Sequence, residues 1–139
     1  MIADKSGRSV ILEWTDGEMK VFERNGSYQV CVNYLIGKPQ IPFYYRSLES
    51  SKERENIVSE CWKKNNEVSI DNFAGILQKS AQRVEYQGTI YGTIYSNIYD
   101  LKNFQMIFFY KSDYTNKKTF NLLNEFKKGY KEYKVKDLF

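Results

Sequence analysis

The sequence predicts an α+β chain in which antiparallel sheet is backed on one face by a pair of helices. Three observations predict it. Runs of alternating apolar residues occupy the beginning and the later part of the chain. Two Asx-Gly dipeptides punctuate the early runs, and two one-sided stretches at helical spacing interrupt them near the middle. Strand runs broken by one helix pair, with no linker between, give an α+β layer pattern over residues 1–139, read as a single domain or a fragment of one.

The first element is the strand "SVILEW" (9–14), followed by Asp16-Gly17, a strong hairpin signal. "EMKVFER" (18–24) runs into a second such signal at Asn25-Gly26, so "YQVCVNYL" (28–35) is expected to complete a three-stranded meander. Its alternation places Asn33 on the same face as Cys31. Residues 36–49, with Pro39, Pro42 and the aromatics Phe43, Tyr44 and Tyr45, are expected to form a loop and to offer a contact surface. Ser50 and Glu53 have capping-box spacing ahead of an apolar stripe of Ile57, Val58, Cys61 and Trp62, and predict the first helix. A second follows Ser69, with Ile70, Phe73, Ala74, Leu77 and Ala81 on one face. "TIYGTIYSNIY" (89–99) repeats every four residues, but its β-branched Ile and Thr favour a strand. Ile90, Gly92, Ile94, Ser96 and Ile98 would line one face and the tyrosines the other. After a turn at 100–103, "FQMIFFYK" pairs back. From Thr119 a short strand and a lysine-rich tail are expected.

Composition narrows the function. Twelve Tyr and nine Phe against two Trp suit broad, half-wet sheet faces, because a tyrosine buries its ring while its hydroxyl stays in reach of a partner. The net charge of +4 is mild, and the arginines are scattered rather than clustered, which argues against a nucleic-acid domain. Histidine is absent, so Cys-His and Ser-His-Asp nucleophile systems and His-containing zinc sites are excluded. Gly88 and Gly92 lie in a strand pattern rather than at a strand-to-helix turn, and the aspartates are scattered; neither cofactor nor metal is expected. No apolar run reaches membrane-spanning length and no leader shape opens the chain, so the expected location is the cytoplasm, with no membrane partner.

Four features carry candidate chemistry. The tyrosine face of 89–99 offers a base-stacking platform or, as composition favours, a packing face under another layer. Cys31 and Cys61 could be nucleophiles or could pair on paper; two lone thiols in apolar patterns are better read as small buried hydrophobes. Asn33, an amide within a Val, Cys and Tyr run, is either the end of a strand or a donor to a developing oxyanion. Arg54 is expected in the first turn of a helix, where the macrodipole disfavours a cation, so it is either simply solvated or held there for a second reason.

Four stretches together resemble the C-terminal half of the choloylglycine hydrolase and penicillin V acylase family, linear amide C–N hydrolases of the N-terminal-nucleophile type. "IADKSGRSVILEW" is similar to the family's Asp, small residue, Ser-Gly and apolar strand ending in Glu. "YQVCVNYL" is similar to a strand that usually ends Thr-Asn, with Val32 here in the Thr position. "SSKERENIVSECWKK" resembles an Arg-bearing helix start, and "GTIYGTIYSNIYDLKNFQMIFFY" resembles the late hairpin. The resemblance implies one part of an αββα sandwich. It implies a nucleophilic cysteine at the mature N-terminus whose own α-amine is the base. It further implies an oxyanion role for Asn33 and a supporting role for Arg54, with Arg46 a weaker match. With Met1-Ile2 at the start of a core strand, the expectation is a chain that lacks the family's N-terminal half and its nucleophile and is inactive alone. Its bare strands would be covered by that half or by a homo-oligomer. A small-molecule amide would be its substrate only when completed; the alternative is a non-catalytic, self-associating module.

Overall fold

Asp16 and Gly17 both take positive φ, 57° and 78°, the backbone of a two-residue hairpin turn. They join strand β2 (Ser9–Thr15) to β3 (Glu18–Glu23), and a short β1 (Ile2–Ala3) pairs antiparallel on the other side of β2. The structure, a computed structural model, describes residues 1–38 and 45–139. The chain divides into two units, Met1–Lys64 and Asn65–Phe139, and each is taken by itself.

In the first unit the period-2 pattern of β2 sorts its residues cleanly. Ile11, Glu13 and Thr15 are buried, whereas Leu12 and Trp14 face outward. The expected third strand over 28–35 does not form: this stretch makes only an isolated bridge at Tyr34, and Asn33 lies in a bend. Side chains replace the ladder. Gln29 Nε2 donates to the Phe22 carbonyl at 3.0 Å, and its Oε1 accepts from Ser9 Oγ at 2.8 Å, so an amide side chain occupies an acceptor that a third strand could have used. Glu13 then accepts from the backbone N–H groups of Ile36 (2.6 Å) and Gly37 (3.1 Å). A Cβ on Gly37 would stand 3.2 Å from Phe22 Cζ, which is why this close approach suits glycine.

Helix α1 spans Tyr45–Lys64, so residues 45–49 of the expected loop are helical, while the loop residues 39–44, including Phe43 and Tyr44, lie outside the described residues. Ser50 is therefore inside the helix rather than its N-cap, and Arg54 lies well past the first turn. The expected conflict between Arg54 and the macrodipole does not arise. The apolar stripe holds: Trp62 is buried, its indole N–H donating to Ser27 Oγ at 3.0 Å, with the Tyr28 ring 5.8 Å away.

The second unit opens with α2 (Ile70–Ser80), capped as expected by Ser69, whose hydroxyl accepts from Asn72 N at 3.2 Å. The tyrosine-rich repeat is two strands rather than one. Its first copy is β5 (Thr89–Gly92), paired with β4 (Arg83–Tyr86) across a positive-φ Gln87-Gly88 turn; its second enters β6 (Tyr95–Asp100). Thr93 makes the break, its hydroxyl accepting from Gln82 N and its own N–H donating to Gln82 O, each at 3.0 Å. Gly92 is required at this pinch, since a Cβ there would lie 2.7 Å from the Gln82 carbonyl oxygen.

Strands β6, β7 (Gln105–Tyr110) and β8 (Asp113–Asn121) form an antiparallel sheet in that order, and the 100–103 turn and the return strand stand as expected. One face carries Ser96, Ile98, Ile107 and Phe109, with Ile107 and Phe109 buried. Beside it lies α2: Tyr114, at a bulge in β8, donates to the Leu77 carbonyl at 3.2 Å, and Lys117 pairs with Asp71 at 3.8 Å. Tyr95 and Tyr99 are on the opposite, exposed face, so the helix packs on the Ile98 side and not on the tyrosine side. The short strand expected from Thr119 is the end of β8, and the lysine-rich tail beyond it contains α3 (Leu122–Lys127) and a 3₁₀ turn (Val135–Asp137). Two ring contacts tie this segment to the open sheet face, Tyr133 to Phe120 at 5.7 Å and Phe139 to Phe108 at 5.9 Å.

Candidate functional site

The segment bearing Asn33 and the helix bearing Arg54 are tethered by their neighbours: the Tyr34 hydroxyl donates to the Glu55 carboxylate. Burial, then the Glu55 hydrogen bond and charge, push the Tyr34 phenol up to about 12. The phenol thus keeps its proton, and with it the donor of this hydrogen bond, across the physiological range. Asn33 itself is exposed, and no hydrogen bond engages its amide among the described residues. Arg54 is half-buried and folds back along its own helix, Nε donating to the Ser50 carbonyl (3.2 Å) and Nη2 to the fully buried Ser51 hydroxyl (3.1 Å). The tether brings their segments together, and the two side chains do not bond to one another. Of Arg46, whose backbone lies in α1, only that placement is described.

The thiols depart from expectation. Cys31 is exposed and Cys61 half-buried, both are free, and neither is a core residue. Among the described residues no group of three or more His, Cys, Asp or Glu is placed to hold a metal, and no helix is long and apolar enough to cross a membrane.

Sequence reasoning missed two features. At the β1 end a cleft of about 330 Å³ is lined by Asp4, Arg8, Glu23 and Arg24. Asp4 accepts from the Ser6 hydroxyl, which holds its carboxyl at about 2; the contacts to Arg8 support the same turn. In the second unit a larger concavity of about 550 Å³ lies between the open face of β7–β8, α3 and the C-terminal segment. Its lining is mostly aromatic and aliphatic, with Glu125, Lys131 and Tyr133 as its polar members. The available signal was the pair Leu122 and Phe126, four residues apart in a stretch read as tail. On the same sheet face, opposite Phe108, Asn97 Oδ1 is buried with no hydrogen-bond partner among the described residues. Comparison of the chain with family models, curated proteins and solved structures finds no match.

Proposed function

We propose that this chain is the non-nucleophilic part of a linear-amide-hydrolase-like sandwich, a scaffold whose outer sheet faces are covered by further polypeptide and which turns over no amide alone. One observation carries the reading: the outward face of the β2–β3 hairpin is apolar and exposed, while its other face sets Ile11 and Phe22 beside the polar pairs Glu13–Lys20 and Thr15–Glu18. Cross-strand pairing puts Leu12 opposite Val21 and Trp14 opposite Met19 on the outer face, with Trp14 69% and Met19 59% exposed. A sheet face that meets water normally carries polar residues, whereas an apolar outer face of this kind belongs against another layer. Covering these four side chains would contribute on the order of 5 kcal/mol, comparable with the whole stability of a small domain.

In this reading Asn33 is a free amide donor on a clamped segment, suited to an oxyanion, and Arg54 is a cation fixed by Ser50 and Ser51. Self-association is the second reading, favoured by the β4–β5 hairpin. Every residue of it is exposed, with Val84, Tyr86 and Tyr91 on one face, and an isolated two-stranded hairpin is marginal in water.

The test is acyl release from penicillin V and from a glycine-conjugated bile acid by the purified chain, with none expected. Turnover lost in Cys31→Ala or Cys61→Ala would make that thiol a nucleophile; turnover surviving both would place the chemistry elsewhere. Either result overturns the non-catalytic reading.

A further inference from the structure

The concavity in the second unit has the features of a small-molecule site rather than of an incomplete core. Its volume of about 550 Å³ is in the range of ligand pockets, roughly 300–1,000 Å³. Met106 and Phe108 from β7, Phe120 from β8, Leu122 and Phe126 from α3, and Leu138 from the C-terminal segment converge on it from four elements. The segment is fastened over the sheet at both ends by Tyr133 on Phe120 and Phe139 on Phe108, so the walls are set by ring contacts.

The polar groups are few and unequally engaged. Glu125 is fully occupied: Lys128 Nζ donates to Oε1 and the Tyr133 hydroxyl donates to Oε2 at 2.7 Å. Lys131 also lines the site and forms no ion pair within 4 Å among the described residues. Glu125 feels the charges of both Lys128, which pairs with it, and Lys131, which stands farther off, so two cations face one carboxylate and the polar edge of the site is net positive. An apolar chamber whose polar edge is net positive, with the exposed Lys131 in its lining, selects against cations and suits an apolar body ending in a single anion.

We propose that this pocket binds an amphipathic monoanion, an aliphatic chain of medium length ending in a carboxylate, with the chain against Phe108, Phe120 and Phe126 and the head on Lys131. The proposal stands apart from the hydrolase reading, since the site lies wholly within Asn65–Phe139 and contains neither thiol.

The experiment titrates the full chain with decanoate and with 1-decanol, each read by displacement of a fluorescent apolar probe. The expected result is saturable displacement by both. Lys131→Met should weaken decanoate roughly three- to tenfold, the worth of a partly exposed charge-assisted contact, and leave decanol unchanged. Phe126→Ser, at a position 74% exposed and therefore tolerant for folding, should weaken both ligands. Absence of saturable displacement, equal decanoate affinity in Lys131→Met, or full affinity in Phe126→Ser with a native circular dichroism spectrum would each overturn the proposal.

Discussion

The sheets β1–β2–β3 and β6–β7–β8 share strand number and antiparallel order, yet they differ in what lies on their faces. The second has α2 against Ile107 and Phe109 on one side and the C-terminal segment on Phe108 and Phe120 on the other. The first has the irregular 27–38 segment clamped to one side through Glu13 and Gln29, and its other side, with Trp14 and Met19, is open. A strand pattern alone does not settle whether a sheet is finished. What settles it is whether each apolar face finds a cover, and here one sheet supplies its own from the chain that follows, while the other does not.

The comparison can be broken most forcefully at the covered sheet. Phe109→Ala should cost about 3–5 kcal/mol, the cavity penalty of a fully buried ring, measured by urea denaturation followed by circular dichroism. A loss under about 1 kcal/mol would show that this sheet is no better packed than the other. In the first unit the strongest point is polar. Glu13→Ala strands two backbone N–H groups and should cost about 2–4 kcal/mol, whereas Glu13→Gln keeps one acceptor and should lose about half as much. Equal losses would mean that the anchoring of residues 36 and 37 does not depend on an acceptor. Asn97→Val removes a buried acceptor without a partner and should raise stability by about 1 kcal/mol; a destabilisation of that size would mean that Asn97 is satisfied in solution.

The smallest effect is a pH dependence in the first unit. The Tyr34 phenol is held at about 12, above its ordinary value of 10.0. Because the folded state favours the protonated form, its contribution is complete below the unfolded value and is lost as pH rises through the folded one. Melting temperatures of the parent and Tyr34→Phe proteins should therefore converge between about pH 10 and 12. A constant difference across that window would disconnect the tether from the phenol proton.

The elements that could be read from the sequence are those whose signals are local. Asp16-Gly17 sets its hairpin because both residues tolerate positive φ, and Ser69 caps α2 with its own hydroxyl. By contrast, β7 turns into β8 through Lys111 and Ser112, both at positive φ, and neither residue type announces such a turn. The start of β8 was hidden for that reason. The 28–35 run had a strand's alternation, but the Gln29 side chain takes the Phe22 carbonyl and Glu13 takes two N–H groups downstream, a tertiary competition that no periodicity reveals. Ser50 and Glu53 had the spacing of a capping box, yet the helix nucleates five residues earlier and absorbs them. Of the candidate site, the sequence placed Asn33 and Arg54 on neighbouring elements but not their orientation, which depends on the Tyr34–Glu55 tether and on Ser51. The apolar concavity was illegible because it forms only when the segment after β8, read as a tail, folds back through α3 onto the open face of β7–β8.

The central claim is that the outer face of β2–β3 is built to be covered, and Trp14 reports on it directly. Trp62→Phe leaves Trp14 as the single tryptophan; its emission maximum and the particle mass by light scattering are followed together against protein concentration. The account predicts a blue shift that tracks a rise in mass, with both abolished by Val21→Lys on the same face. A monomeric mass at every concentration, with Trp14 emitting as it does in water, would contradict it.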